Sequence, residues 1–246
     1  MFVAALAGLV LTSGCTASHV EREAEAIPDF GTVLDAPVPV GVLTAPLTDI
    51  HGRPTTLGDF RGKVIVISDV MTLCQESCPL ITAGMVAAAR ELTRSPSSDR
   101  VEFVSITIDP TRDDVRHLRA YGRQFGALPN WTLLTGTPSV VDGLWHTLGV
   151  WRHRTRSDPP YPRDWLTGAA LTSDIAHTDE LIFIDGQQTF RYEMDGYGNV
   201  PPASVPSRIY HFMDPLGHRN AASPDPGSFT PQQVGIVIDW LLGRST

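Results

Sequence analysis

The sequence is poor in cysteine and has no excess of positive charge. Its 246 residues include three cysteines, and 19 lysines and arginines stand against 27 aspartates and glutamates, giving a net charge of −8 at pH 7. Non-specific binding to nucleic acid requires a basic surface, so the composition argues against a nucleic-acid partner. With 42% hydrophobic residues, the chain is able to build a sizeable core in one large domain or two small ones.

The N-terminal apolar stretch, residues 2–11, is too short to span a bilayer. It is typical of the core of a signal peptide, and Gly14-Cys15 after it resembles a bacterial lipobox. This pattern predicts a signal peptide over 1–15, lipidation of Cys15 and a flexible tether over 16–35. We therefore expect a bacterial domain held at the outer face of the plasma membrane, where a cysteine pair is able to oxidise. The alternative is a plain apolar start with an unrelated cysteine.

The other two cysteines lie in a strand–loop–helix stretch over residues 64–89. The β-branched run at 64–67 predicts a buried strand, and Pro79 with an apolar periodicity predicts a helix that runs to about residue 93. Cys74 and Cys78 therefore lie at or just before a helix N-terminus. The helix dipole and the free N–H groups there favour a thiolate, the form of cysteine that attacks disulfides and binds soft metals.

Strand and helix patterns alternate along the chain. Strands are predicted over 47–50, 64–67, 101–108, 131–134, 180–184 and 189–192, and helices over 79–93, 115–125, 139–148 and 231–242. The alternation predicts an α/β domain over 36–246, with a central, mostly parallel sheet flanked by helices and a C-terminal hairpin and helix. A cysteine pair after the first central strand favours a thioredoxin-like arrangement. Residues 151–176 and 194–230 are predicted to be two irregular surface insertions.

Two thiolates suit Cu(I), zinc or a disulfide, and a third ligand would separate these options. His177 is the candidate for that ligand, because it stands just before the strand at 180–184 and loops at strand ends gather near one another in an α/β sheet. The alternative for His177 is a histidine in a surface loop, which is the commoner fate of a single histidine.

Together these residues resemble the Sco/SenC family of copper chaperones, which take part in cytochrome c oxidase assembly. The resemblance covers roughly residues 40–192 and the final helix. It rests on the lead-in LGDFRGK at 57–63, on Cys74-x-x-x-Cys78-Pro79, on Asp109-Pro110-x-Arg112-Asp113 and on His177 ahead of the hairpin at 181–186. The resemblance implies a thioredoxin-like fold and a copper ion bound by Cys74, Cys78 and His177. It also implies a partner that is an oxidase subunit with a copper site or another copper protein.

The chain departs from the family pattern at three places around these residues. Gln75-Glu76 stands where the family has Pro-Asp, and Asp69-Val70-Met71 replaces a segment that commonly carries an aromatic residue. Ala176 replaces an acidic residue before the histidine. These changes leave the expected ligands intact.

Two further groups of residues are expected to have structural roles. Asp109 and Arg112 are predicted to form an ion pair near the site. The segment Tyr210-His211-Phe212-Met213 and the nearby His218 contain one soft methionine sulfur and two imidazoles, which could form a second copper-binding patch. Packing of Phe212 and Met213 onto the domain is the favoured interpretation, because methionine more often fills gaps than binds metal.

Three functions compete for the cysteine pair. The first is a copper-binding assembly factor without turnover, the second a thiol–disulfide oxidoreductase with Cys74 and Cys78 as its redox pair, and the third a peroxidase of the peroxiredoxin type. The peroxidase motif needs a proline that residues 69–73 do not supply. General oxidoreductases carry Cys-x-x-Cys and a facing cis-proline, whereas here the spacing is longer and Ala176-His177 occupies that region. Copper binding is therefore favoured, and oxidoreductase activity stays open.

Overall fold

Residues 27–244 are described by the computed structural model. In chain order the strands are β1 (Thr32–Pro37), β2 (Leu47–Asp49), β3 (Pro54–Thr55), β4 (Val64–Val70), β5 (Val101–Thr107), β6 (Trp131–Thr135), β7 (Arg152–Arg156), β8 (Ser173–His177), β9 (Glu180–Ile184) and β10 (Thr189–Asp195). The helices are α1 (Val40–Leu43), α2 (Cys78–Leu92), α3 (Val115–Phe125), α4 (Pro138–Thr147), α5 (Ser207–Phe212), α6 (Pro215–Ala222) and α7 (Pro231–Arg244). Every predicted strand and helix is present.

Eight strands form one mixed sheet in the order β1-β10-β9-β4-β5-β6-β2-β3. Strand β4 pairs in parallel with β5, and β5 with β6. The other described pairings in this sheet are antiparallel. The α/β class is confirmed, but parallel pairing is confined to the three central strands rather than extending over most of the sheet. The reason is that the short strands β1, β2 and β3 add antiparallel edges beside the expected hairpin of β9 and β10.

The central strand β4 is buried on both faces. Val64 and Val66 lie in the core layer that contains residues of α2, α3 and α7, whereas Ile65 and Ile67 lie in the layer that contains residues of α1 and α4. Successive side chains of a strand point to opposite faces, so an uninterrupted apolar run fills both layers. The same alternation places Asp69 on the face of Ile65 and Ile67.

The insertion over 151–176 is not purely irregular, which corrects the prediction of a long surface loop. Its ends form β7 and β8, which pair as a separate antiparallel sheet with Arg152 opposite His177. The sequence of β7, RHRTR, is polar on both faces and mostly exposed, so it carries no hydrophobic periodicity. Cross-strand backbone hydrogen bonds stabilise it instead.

The insertion over 194–230 is also more regular than predicted, because it contains α5 and α6. Helix α5 follows Pro206, and α6 has Pro215 in its first turn and a cap in which the Asp214 carboxylate accepts the Gly217 N–H. Helices of six and eight residues are too short to show a clear periodic pattern. Their prolines act as helix starts, although the composition of the segment is typical of a loop.

The first strand begins inside the segment predicted as a tether. Strand β1 pairs antiparallel with β10, and the Tyr192 hydroxyl donates to the Pro28 carbonyl at 3.0 Å. Backbone pairing at the sheet edge therefore orders a stretch whose side chains are mostly exposed. The predicted signal peptide, Cys15 and residues 16–26 of the tether lie outside the described residues. Within residues 27–244, no helix combines the length and the apolar character needed to cross a membrane.

Candidate metal and redox centre

The two cysteines are placed by the end of β4 and the start of α2. Residues 71–77, here called the cysteine loop, connect these elements. Cys74 lies in this loop, where its N–H donates to the Met71 carbonyl at 3.1 Å. Cys78 is the first residue of α2, with Pro79 next to it in the first turn as predicted. Both thiols are free and buried.

The surroundings of Cys78 do not favour the thiolate expected at a helix N-terminus. Complete burial raises the pKa of the Cys78 thiol well above its usual value, and a hydrogen-bonding contact with Cys74 adds to the rise. Burial prevails because removing a charge from water costs more than the helix dipole recovers. Metal binding or oxidation therefore starts from a neutral thiol at Cys78 and must release its proton.

His177 is brought to the cysteines by the small sheet. It is the last residue of β8, and its Nε2 lies 3.4 Å from the Cys78 sulfur. Its side chain is 4% exposed, so the alternative of a surface histidine is wrong. The expected meeting of Cys78 and His177 is present, although the histidine arrives on a strand of a second sheet rather than on a loop.

The other nitrogen of His177 faces oxygen atoms. Nδ1 lies 3.1 Å from the Thr178 carbonyl, 3.3 Å from an Asp179 carboxylate oxygen and 3.6 Å from an Asp69 carboxylate oxygen. Burial alone would lower the pKa of His177, but the charges of Asp69 and Asp179 raise it to about 9. Burial raises the pKa of Asp69 to about 7, although the His177 charge acts in the opposite direction.

Asp69 is the site residue that the sequence analysis did not identify. One of its oxygens, the Cys78 sulfur and a His177 nitrogen all lie within 4.8 Å of one another. Within residues 27–244 this is the one such group of three or more histidine, cysteine, aspartate or glutamate ligand atoms. A signal was available, because Asp69 is the single ionisable residue in the fully buried strand VIVISDV. Such a residue is rarely buried without a partner.

A cleft of about 250 Å³ reaches the site from the surface. Cys74 and His177 line it, whereas Cys78 lies behind them with no exposed surface. An incoming ion or thiol therefore meets Cys74 and His177 first.

The mouth of this cleft is acidic. Glu76 and Asp174 both line it. Burial raises the pKa of Glu76, and the negative charges of Asp214, Asp174 and Asp179 raise it further. Clustered negative charge of this kind raises the local concentration of cations.

Both insertions contact the cysteine loop. The Trp165 indole N–H donates to the Thr72 carbonyl at 2.7 Å. The Gln75 amide donates to the Phe212 carbonyl at 2.8 Å, and the Asp214 N–H donates to the Gln75 carbonyl at 3.0 Å. The cysteine loop is thus held between the two segments that were predicted to be irregular.

The expected ion pair between Asp109 and Arg112 is present. The Arg112 guanidinium also donates to the Ser173 carbonyl at 2.6 Å and lies 3.6 Å from the Met71 sulfur. Burial alone would raise the pKa of Asp109, but hydrogen bonds from Thr111 and Arg112 and the Arg112 charge hold it below its usual value. The pair therefore has a structural role, because it fixes the start of β8 against the cysteine loop.

The residues over 210–218 pack onto the domain. Met213 is buried and Phe212 is partly buried against the same core layer. The rings of Tyr210 and His218 pack edge to face with centroids 4.6 Å apart, and His211 Nδ1 lies 2.6 Å from the Ser207 carbonyl. The packing role predicted for Phe212 and Met213 is confirmed.

The donor set at the cysteines fits a copper ion. Cys74 and Cys78 offer two soft sulfur atoms and His177 an imidazole nitrogen, which are ligand types that Cu(I) accepts. The buried Oδ2 of Asp69 has no hydrogen-bond partner among the described residues. A cation bound by Cys78 and His177, which have ligand atoms within 4.8 Å of an Asp69 oxygen, would offset part of the cost of burying this charge without a direct bond to it.

The chain matches the SCO1/SenC family model over residues 46–210, which is more than half of its length. The match includes Cys74, Cys78 and His177 and ends before α6. Among curated relatives, the mitochondrial protein SCO2 homolog of Homo sapiens is 33% identical over 135 residues, which is 55% of this chain and 49% of that protein. The matched segment therefore spans about half the length of that relative.

Solved structures share the fold. The copper-bound ScoI of Arabidopsis thaliana matches with a TM-score of 0.52 and 19% identity, covering 73% of this chain and 97% of that chain. A SCO1/SenC family lipoprotein from Bacillus anthracis matches with a TM-score of 0.53 and 22% identity, covering 74% of this chain and 96% of that chain. At these identities the likeness concerns the fold, and it confirms the thioredoxin-like class.

Proposed function

The chain belongs to the SCO1/SenC family, and from this we propose that it is an extracytoplasmic copper-binding chaperone. In this proposal it acts on the copper-site cysteines of a respiratory oxidase, either by delivering copper to them or by keeping them reduced. The observation that carries the proposal is the 3.4 Å contact between the Cys78 sulfur and His177 Nε2, with the Cys74 side chain in contact with Cys78. The copper-bound state of the Arabidopsis thaliana relative supports it.

Cys74, Cys78 and His177 supply the ligands for the copper ion, which is the cargo of this protein. Two thiolates and one imidazole give a three-coordinate set that suits Cu(I). Because Cys74 and His177 line the cleft while Cys78 lies behind them, a partner's cysteines would displace the outer ligands first. Stepwise displacement lets the ion pass to the partner without being released into water.

The same two thiols form the proposed redox pair. Thiol–disulfide exchange with a partner's disulfide would join the two sulfur atoms in a disulfide and leave the partner with two thiols. The disulfide lacks the thiolates that Cu(I) needs. Thiol–disulfide oxidoreductase activity is the second candidate function. The arrangement of the thiols favours it, because an incoming sulfur atom meets Cys74 at the cleft and Cys78 stands behind it to resolve the mixed disulfide.

We expect the reduced chain to bind a single Cu(I) ion and the oxidised chain to bind none. The physical reason is that oxidation removes both sulfur ligands together. Competition titration with a Cu(I) chelator before and after mild oxidation measures this, and thiol alkylation reports the state of the cysteines. Reduced protein that binds no copper but catalyses disulfide reduction would replace the copper function with the oxidoreductase function.

We further propose that the domain is anchored by lipid at the outer face of a bacterial plasma membrane. The Gly14-Cys15 junction is the basis of this proposal, and the lipoprotein from Bacillus anthracis supports it. Mass spectrometry of the native protein is expected to show a diacylglyceryl-modified Cys15 as the first residue. An unprocessed Met1 in a soluble cytoplasmic fraction would contradict the anchor.

A further inference from the structure

Asp69 occupies a place in the fold where a carboxylate is costly. It lies in β4, between the neighbouring strands β5 and β9, with 1% of its surface exposed. An apolar side chain at this position would extend the row of Ile65 and Ile67 in the same core layer. A buried carboxylate without compensating partners destabilises the folded state, so its presence calls for a specific interaction.

The hydrogen bonds of Asp69 do not supply that interaction. The Glu180 N–H reaches Oδ1 at 3.4 Å, which is a long contact, and Oδ2 has no hydrogen-bond partner among the described residues. The cation-forming group nearest to Oδ2 is the imidazole of His177, whose Nδ1 lies at 3.6 Å. The carboxylate is therefore directed at the edge of the imidazole that faces away from Cys78.

The two nitrogens of His177 have different surroundings, and these decide which one is free to bind a metal. Nδ1 faces three acceptor oxygens, from Thr178, Asp179 and Asp69, so it carries a hydrogen. Nε2 faces the Cys78 sulfur at 3.4 Å. With one hydrogen held on Nδ1, Nε2 is the nitrogen that gives up its proton to bind a metal, and it is the one directed at the thiol. Outer-shell carboxylates orient metal-binding histidines in this way.

Of the three oxygens, only that of Asp69 belongs to the strand that leads into the cysteine loop. Thr178 and Asp179 follow His177 in the chain and move with it. His177 itself lies on β8, which belongs to the small sheet of β7 and β8, whereas Asp69 is fixed in β4 of the large sheet. A contact between Asp69 and His177 therefore sets the position of the imidazole relative to Cys78.

We propose that Asp69 is a positioning residue of the copper site, which holds the His177 imidazole with Nε2 directed at Cys78. The inference rests on the proposed copper function and adds a residue to it. Asp69 acts through His177 and not as a ligand. The family resemblance does not supply this role, because an aromatic residue commonly occupies this segment in the family.

A double-mutant cycle on the Cu(I) affinity of the full chain tests the proposal. Asp69→Asn preserves the shape of the side chain and removes its charge, and it is expected to weaken Cu(I) binding about 10- to 100-fold, as loss of an outer-shell carboxylate does elsewhere. In a His177→Ala background, the same change is expected to have almost no effect, because the group it positions is gone. Asp174→Asn removes a negative charge at the mouth of the same cleft and is the control for general cation attraction, so its effect on the affinity should be small and the same in both backgrounds.

A second readout uses the metal-free chain. In nitrogen-edited NMR spectra, the hydrogen on Nδ1 of His177 is expected to give an imidazole N–H signal that Asp69→Asn shifts or broadens and Asp174→Asn leaves in place. Asp69→Leu is a second variant that keeps β4 apolar and should fold, as thermal unfolding would verify.

The outcomes separate the proposals. Parent-like Cu(I) binding by Asp69→Asn and Asp69→Leu would overturn the positioning role alone. An equal loss of affinity with and without His177 would also overturn it, since Asp69 would then act as a direct ligand. A parent chain that binds no Cu(I) would overturn the proposed function and this inference together.

Discussion

Replacing Cys78 with alanine is expected to abolish tight Cu(I) binding, with a loss of affinity of roughly a thousandfold or more, which corresponds to about 4 kcal/mol. Cys78 is the central donor of the proposed site, because it contacts both His177 Nε2 and the Cys74 side chain. Without it, the remaining sulfur and nitrogen have no ligand between them. The fold should survive, because alanine is a good helix former and Pro79 still starts α2.

Competition against a chromophoric Cu(I) chelator under reducing conditions measures this loss. Glu76→Gln is the matched control: Glu76 lies between the two cysteines and offers them only its backbone N–H, at the Cys74 sulfur, so losing its charge at the cleft mouth should lower the affinity far less than losing a sulfur ligand. Cys74→Ala should also lose tight binding, but less completely, because the contact between Cys78 and His177 remains. Parent-like affinity in Cys78→Ala would move the copper site away from the cysteine loop.

The central part of the fold was predictable because its signals are local and redundant. Strand β4 combines β-branched residues with burial on both faces, and α2 combines Pro79 with an apolar periodicity that continues to Leu92. Each of these signals acts over a few residues and agrees with its neighbours. Agreement of this kind is what allows sequence reasoning to reach a fold class.

The insertions were mispredicted because their regular structure depends on contacts with residues that are distant in the sequence. Strand β7 has no apolar face, and it is a strand because β8 lies beside it. Helices α5 and α6 are short and start at prolines, so composition alone indicates a loop. Their contacts with Gln75 join residues more than a hundred positions apart in the sequence. No local sequence pattern indicates such contacts.

At the site, the sequence pointed to the residues that are now the proposed ligands, but it did not predict their chemical state. The spacing of Cys74, Cys78 and His177 can be read from the chain, whereas the burial of Cys78 depends on the packing of the whole domain. Burial reversed the expected preference for a thiolate at the start of α2. Asp69 was missed for a related reason, since its importance lies in a side-chain contact between two sheets.

Gly217→Ala is expected to disturb the site from outside the region that the family model matches. Gly217 lies in α6, directly against the cysteine loop, and a Cβ there would lie 2.2 Å from the Gln75 carbonyl oxygen and 3.0 Å from the Met213 methyl carbon. A backbone oxygen cannot move aside as the end of a flexible side chain can, so either the cysteine loop or α6 must shift. Overpacking of this kind costs about 1–3 kcal/mol of folding free energy.

The shift should also reach the proposed metal ligands, because Gln75 follows Cys74 and its carbonyl accepts the Asp214 N–H. We therefore expect lower stability together with weaker Cu(I) binding. Urea unfolding and chelator competition measure the two effects on the same sample. Gly235→Ala in α7 is the matched control, since a Cβ there meets nothing within 4 Å and should stabilise the helix by about 0.5–1 kcal/mol. If both variants are equally stable and bind copper like the parent, α6 does not hold the cysteine loop in the position that copper binding requires.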